Sequence, residues 1–295
     1  MGGAPKGPSW IHQIFWLELS AAYSHHNNDF YVDHLNNYNL LQFSARIGLR
    51  EQKIGIEPYL FMNPIHDFSS NVWNKVDWNN NLAYGFGFRK RFYLREIVGL
   101  QFHELWFAAF AEKLWIHYFP NEFFFIGHRP RNDFKFGVAF QATYAGSGNK
   151  PSKTNGRTKI IPIWLETGGS LYYAKSSFYV RSKSGFYFAE LSSSLGPILR
   201  FKSKVDLRPY AFARIMYDLG SNDWNDLDWH NNLRIGLGLR AQLFRFQFYQ
   251  LKKLNFVISA YGEVHWMRWA KKVHYVPSYR PTQDQQAGVV FSISN

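Results

Sequence analysis

The sequence predicts an all-β fold, an antiparallel transmembrane β-barrel of about twelve strands built from two tandem six-strand repeats. Three observations carry this prediction. Nearly the same twenty residues occur twice, SNVWNKVDWNNNLAYGFGFR from Ser70 to Arg89 and SNDWNDLDWHNNLRIGLGLR from Ser221 to Arg240, an offset of 151 positions. Apolar and polar residues alternate with a period of two through long segments, the spacing that puts successive side chains on opposite faces of a strand. Tight connections also alternate with long ones, as in barrels with short turns at one end and loops at the other.

The repetition extends over the chain. Trp16-Leu17-Glu18 matches Trp164-Leu165-Glu166, and Phe30-Tyr31-Val32 matches Phe178-Tyr179-Val180, both at an offset of 148. Beyond small gaps the offset becomes 151. Pro58-Tyr59 then matches Pro209-Tyr210, Asp67 matches Asp218, Glu112 matches Glu263, and Arg129-Pro130 matches Arg280-Pro281. Two copies, 12–146 and 160–295, are expected within one domain spanning 1–295, joined by the polar segment Gly146 to Lys159.

Each predicted strand follows from its alternation. Phe15, Leu17, Leu19 and Ala21 oppose Trp16, Glu18, Ser20 and Ala22. Leu41, Phe43, Ala45, Ile47 and Leu49 oppose Gln42, Ser44, Arg46 and Arg50. Leu233, Ile235, Leu237 and Leu239 oppose Arg234, Gly236, Gly238 and Arg240. The first copy reads as strands near 13–24, 38–50, 53–63, 80–92, 99–116 and 134–145. The second reads as strands near 160–174, 186–200, 204–217, 231–244, 253–268 and 286–294. Such lengths suit a tilted crossing of the bilayer, which needs roughly 9–11 residues. Arg50 to Lys53 and Phe201 to Lys204 are tight turns, whereas 25–37, 64–79, 117–132, 175–185, 218–230 and 269–285 are long.

Composition narrows the function classes. The 295 residues carry a formal charge of +13 and 19% aromatic residues, with 28 Phe, 18 Tyr and 11 Trp. That charge favours an acidic partner, but the basic residues are scattered, with no helix or one-faced stripe to enter a nucleic-acid groove. No run of apolar residues approaches a transmembrane helix. Without cysteine there is neither a disulfide framework nor a thiolate metal site. MGGAPKGPSW lacks the apolar core of a secretory signal, so the chain is expected to be a mature fragment or the C-terminal domain of a longer export product.

Arg208-Pro209-Tyr210, Asp218, Asp228-Trp229-x-Asn231-Asn232-Leu233, Gly236-x-Gly238-x-Arg240 and Glu263 form an arrangement that resembles a known family. It is similar to the C-terminal outer-membrane barrel of exopolysaccharide exporters of the cellulose-secretion subunit type, and of a related phage-adsorption outer-membrane protein. The resemblance implies a Gram-negative outer membrane with its lipid and lipopolysaccharide, a polysaccharide as the passing molecule, and a periplasmic region or partner upstream. The chain departs from that pattern in having fewer placeable strands and in ending VVFSISN, without a terminal aromatic residue.

The candidate site residues are polar positions on predicted strands. Glu18, Arg89 and Glu112 recur as Glu166, Arg240 and Glu263, and are expected to form Glu–Arg networks between neighbouring strands. With Arg46, Arg214 and Arg234 they would line a passage, and a positive excess that includes Arg50 and Arg208 would favour an anionic solute or polymer. Gly85, Gly87, Gly236 and Gly238 face the same way and are expected to relieve crowding or permit curvature. Trp73, Trp78, Trp224 and Trp229 beside Asp77 and Asp228 suit either a headgroup-level aromatic girdle or contacts to sugar rings.

Catalytic and metal chemistry find less support. A rim lipid hydrolase would need a serine beside a histidine. His103 and His265 are candidate bases, but spacing pairs neither with a serine. His25, His26 and His34 have the residue type of a metal site, yet the other copy has Tyr173-Ala174 there, which favours a solvated loop. No metal and no cofactor are expected. The main rival to a passage is a structural or receptor barrel plugged by its own side chains, acting through its loops.

Overall fold

The computed structural model describes residues 15–28, 37–50, 54–68, 80–94, 96–97, 100–102, 104–119, 132–145, 162–176, 185–200, 206–219, 231–247, 255–269 and 282–294. Its first six barrel strands are β1 (Phe15–Asn28), β2 (Asn37–Leu49), β3 (Ile56–Asp67), β4 (Asn81–Tyr93), β5 (Glu104–Tyr118) and β6 (Asn132–Ala145). The other six are β7 (Ile163–Ser176), β8 (Gly185–Pro197), β9 (Asp206–Asp218), β10 (Asn232–Gln247), β11 (Asn255–Trp269) and β12 (Gln283–Ser294). Every strand pairs antiparallel with its neighbours in sequence, and β12 pairs with β1 from Glu18 opposite Ser294 to Asn28 opposite Asp284. The result is a closed twelve-stranded up-and-down barrel. Closure leaves no edge unpaired, the condition a sheet must meet to sit in lipid.

Alternation fixes which side chains point in. The outward set is large and apolar, and includes Phe43, Ile47, Leu60, Phe86, Phe88, Val138, Leu171, Leu195, Leu237 and Val289, all exposed. Near the strand ends that precede or follow 29–36, 69–79, 120–131 and 177–184, the same face carries Tyr23, Tyr84, Trp115, Tyr173 and Tyr187. Tyr84 stacks on Trp115 and Tyr173 packs on Tyr187. An aliphatic band edged by Tyr and Trp is what a bilayer demands of a spanning wall, the rings lying at headgroup depth. In water the same surface would be an aggregation face.

Several strands run further than the alternation of apolar residues indicates. β1 continues to Asn28, so His25 and His26 stand on a strand and not in a solvated loop. β3 continues to Asp67 and β5 to Tyr118, whereas β5 begins only at Glu104. The reason is the end of the bilayer. Past it, both faces of a strand turn polar while the hydrogen-bond ladder goes on. The alternation of short and long connections also has an exception, because 146–162 joins the two halves on the side of the tight turns.

Candidate functional site

Two clusters of like composition sit inside the wall. The first is built on β3 and β4. A Cβ on Gly87 would lie 2.6 Å from Cζ of Tyr59, and one on Gly85 would lie 2.9 Å from Cζ of Phe61. The glycines are therefore the floor on which the β3 rings lie, and relieve crowding there. Tyr59 packs on Phe61 and on the fully buried Trp16, and its hydroxyl donates to Oε1 of Glu112 at 2.6 Å. Arg89 lies 3.7 Å above the Trp16 ring. Its Nε donates to Glu57 at 2.8 Å and its Nη2 to Glu18 at 3.0 Å. Arg91 joins Glu57 at 2.8 Å.

The second cluster repeats this shape on β9 and β10. A Cβ on Gly238 would meet Cζ of Tyr210 at 2.4 Å, and one on Gly236 would meet Phe212 at 2.7 Å. Tyr210 packs on Trp164 and Phe212 and donates to Glu263 at 2.5 Å. Arg240 donates to Glu166 at 3.2 Å. The charges nearby differ. Glu263 also accepts from Arg214 at 2.8 Å and from Gln286. Arg208 stands 151 positions after Glu57, and bonds Gln242 at 2.9 Å and Asp206 at 3.5 Å.

These contacts establish direction. Arg89 on β4 reaches Glu18 on β1, and Arg240 on β10 reaches Glu166 on β7. Two strands intervene in each case, so the contact crosses the interior. The expected networks between neighbouring strands are thus corrected in part, since the curved wall brings more distant strands within reach. Glu18, Glu112, Glu166, Arg214 and Glu263 share this inner face. Arg46 lies opposite Glu18 and Phe61, and Arg234 donates to Asn232 at 3.1 Å. Trp73, Asp77, Trp78, Trp224, Asp228 and Trp229, together with His34 and His103, lie outside the described residues.

Sequence reasoning missed several inner residues. Glu57 and Arg91 complete the first cluster, and Glu190 accepts from Tyr172 at 2.7 Å. Glu57, Glu190 and Asp206 add carboxylates to the described inner face. The pair Pro58-Tyr59 and Pro209-Tyr210 was the available signal, because a tyrosine repeated beside inward glycines is a ring over a gap. Part of the repeated loop motif also has a role. The Asp67 amide donates to the side chain of Asn80 at 2.9 Å, and the Asp218 amide to Asn231 at 2.8 Å. Each asparagine ties the start of its strand to the end of the preceding one.

A third group stands where β1 meets β12. Ser24, His26, His265 and Asp284 are all buried there, with His26 and His265 both facing the Asp284 carboxylate. Among the described residues no three His, Cys, Asp or Glu side chains are arranged to hold a metal ion.

No known family model matches the chain, and no curated protein matches it. Among solved structures, it is similar to an outer membrane channel from Pseudomonas putida F1, at 10% identity and a TM-score of 0.45 over 100% of each chain. The β domain of the Bordetella autotransporter BrkA is similar at 10% identity and a TM-score of 0.44, over 95% of this chain and 99% of that one. The translocator domain of the autotransporter NalP from Neisseria meningitidis follows at 12% identity and 0.34, over 94% and 88%. Likeness at this level carries no assignment of activity or cargo.

Proposed function

We propose that the chain is an outer-membrane barrel that passes a hydrophilic solute or polymer through its interior, with a secreted polysaccharide as the cargo the sequence resemblance implies. We also take its halves, 12–146 and 160–295, as tandem copies of one unit within a single domain. The observation that carries the reading is the pairing of an apolar, aromatic-edged outer face with an inner face of Glu, Arg, Tyr and Trp. A wall of that kind separates lipid from a polar interior, and rings beside charged and hydroxyl groups suit a sugar chain that offers both apolar faces and hydroxyls. Selection would be steric and electrostatic, with no covalent step.

Conductance of the refolded chain in planar bilayers under a salt gradient is the test. Steady steps with weak ion selectivity are expected, because cations and carboxylates are both half exposed inside. Arg240→Ala should move the reversal potential toward cations, and Glu166→Gln toward anions. A specific observation favours a second reading. Trp16, Trp164, Tyr59, Tyr210, Phe61 and Phe212 are nearly fully buried inside the wall, as they would be in a barrel plugged by its own side chains. Stable insertion without conductance would support that plugged form and move attention to the loops.

A further inference from the structure

The seam between β1 and β12 holds side chains that passage does not use. Ser24 and His26 stand two residues apart on β1 and so project to the same, inner side. The Ser24 Oγ lies 2.9 Å from Nε2 of His26, and Nδ1 of His26 lies 3.2 Å from Oδ2 of Asp284. A carboxylate only accepts, so Asp284 fixes the proton of His26 on Nδ1. Nε2 is then the acceptor for the Ser24 hydroxyl. Tyr38 lies flat on the His26 ring, with centroids 4.5 Å apart and 5° between planes, which holds the ring in that orientation.

A donor stands beside the serine. Gly288 pairs with both Ser24 and Tyr261, and its missing side chain lets the Tyr261 ring lie across β12. The Tyr261 hydroxyl thereby lies over Gly288, the residue that pairs with Ser24.

The fold does not require these groups. At the offsets found above, Ser24, His26 and His265 correspond to Tyr172, Ala174 and Leu114. Ala174 packs there with Phe188 and Tyr172 in an apolar cluster. At the β1–β12 seam, by contrast, both ring nitrogens of His265 are buried without a hydrogen bond, while the carboxylate recurs, Asp284 corresponding to Asp133. Unsatisfied polar atoms are a cost that a purely structural seam would shed, and they gather where chemistry is done.

We infer that Ser24, His26 and Asp284 form a serine-esterase site on the inner side of the barrel wall, which cleaves carboxylic esters of polar, hydroxyl-rich alcohols. Ser24 and His26 are its catalytic residues and Asp284 its positioning residue. The Ser24 Oγ attacks the acyl carbon as its proton passes to Nε2 of His26. The tetrahedral intermediate, its oxyanion met by the Tyr261 hydroxyl, then collapses. The alcohol leaves with the proton from His26, and the acyl group stays on Ser24. Water entering from the interior loses a proton to His26 and attacks the acyl carbon. The acid departs and the proton returns to Ser24. The inward direction of Ser24 turns the site away from the bilayer, so the acyl chains of membrane lipid are not its substrates. The inference does not depend on passage of a polymer.

The test is covalent labelling of the full refolded chain in detergent micelles with a fluorophosphonate, read by intact mass and peptide mapping, beside hydrolysis of p-nitrophenyl acetate. A single adduct on Ser24 is expected, absent in Ser24→Ala, with hydrolysis lowered roughly 10²–10⁴-fold in His26→Ala. Ser24→Cys, which keeps the shape of the site, should lose the fluorophosphonate adduct and gain one with iodoacetamide that fades in His26→Ala. Asp284→Asn should lower turnover and change its pH profile while leaving the heat-dependent gel shift of the folded barrel in place. Folded wild-type protein that takes no label on Ser24, or Ser24→Ala that hydrolyses at the wild-type rate, would overturn the inference.

Discussion

Arg89 and Arg240 stand at the same point of two like-shaped clusters, yet they live in different electrostatic surroundings. Arg89 is 7% exposed, sits face-on above Trp16, and is held by Glu57, itself 12% exposed, as well as by Glu18. Arg240 is 31% exposed, lies 5.6 Å from the Trp164 ring, and has Glu166, 44% exposed, as its carboxylate partner. Where the first cluster has Glu57 and Arg91, the second has Arg208 and Gln242. The rings, the glycine floor and the Tyr-to-Glu hydrogen bond are common to both. Shape is thus the strict requirement, because a ring over a glycine tolerates no substitute. The charges around it have been free to differ, since each arrangement pairs its own.

The comparison makes its largest claim at the arginines. Arg89→Ala leaves Glu57 with Arg91 alone in a nearly closed site and should cost about 1.5–3 kcal/mol of unfolding free energy. Arg240→Ala removes a half-exposed pair and should cost about 0–1 kcal/mol. Urea unfolding in micelles, followed by Trp fluorescence, reads both, and equal losses would break the distinction. Next come the floors. Gly87→Ala and Gly238→Ala each drive a methyl into a tyrosine ring and should cost about 1–3 kcal/mol, alike in both halves. In the same unfolding assay the glycine substitution should cost little when made in a Tyr59→Ala or Tyr210→Ala background.

A smaller effect would sharpen the contrast. Arg208→Glu with Gln242→Arg copies the first network into the second half, and the cost of Arg240→Ala should then rise by about 1–2 kcal/mol. A cost that stays near zero in this background would mean that exposure, and not partner identity, sets the difference. Smallest are the strand-end ties. Asn80→Ala and Asn231→Ala each free one backbone amide and should cost about 0.5–1.5 kcal/mol, with hydrogen exchange quickening at Asp67 and Asp218 respectively.

Much of the wall was legible from alternation alone. Glu18, Arg89, Glu112 and their partners 148 or 151 residues on were placed on one face, and the closed twelve-stranded barrel followed from strand length and turn spacing. Two kinds of residue were not legible. Strand ends such as His25-His26 are polar on both faces, so nothing in their pattern separates them from a loop. Partnerships between residues far apart in the sequence were also hidden, because sequence gives the face of a residue but not its height along the axis. Arg89 meets Glu18 over a separation of 71 residues, and His26 meets Asp284 over 258. The Ser24–His26 spacing was in plain view, but it gained meaning only when β12 brought a carboxylate to it.

The seam between β1 and β12 has a consequence for biogenesis. The two strands that complete the cylinder belong to opposite ends of the described chain, so no partial product has a fully bonded wall. Six strands of either half would present two raw edges and an apolar face together, the combination most prone to sticking. Insertion must therefore be nearly simultaneous for all twelve strands, or be guarded until β12 reaches β1. Quality control of this protein can then rest on a single late event, the zipping of one pair of strands.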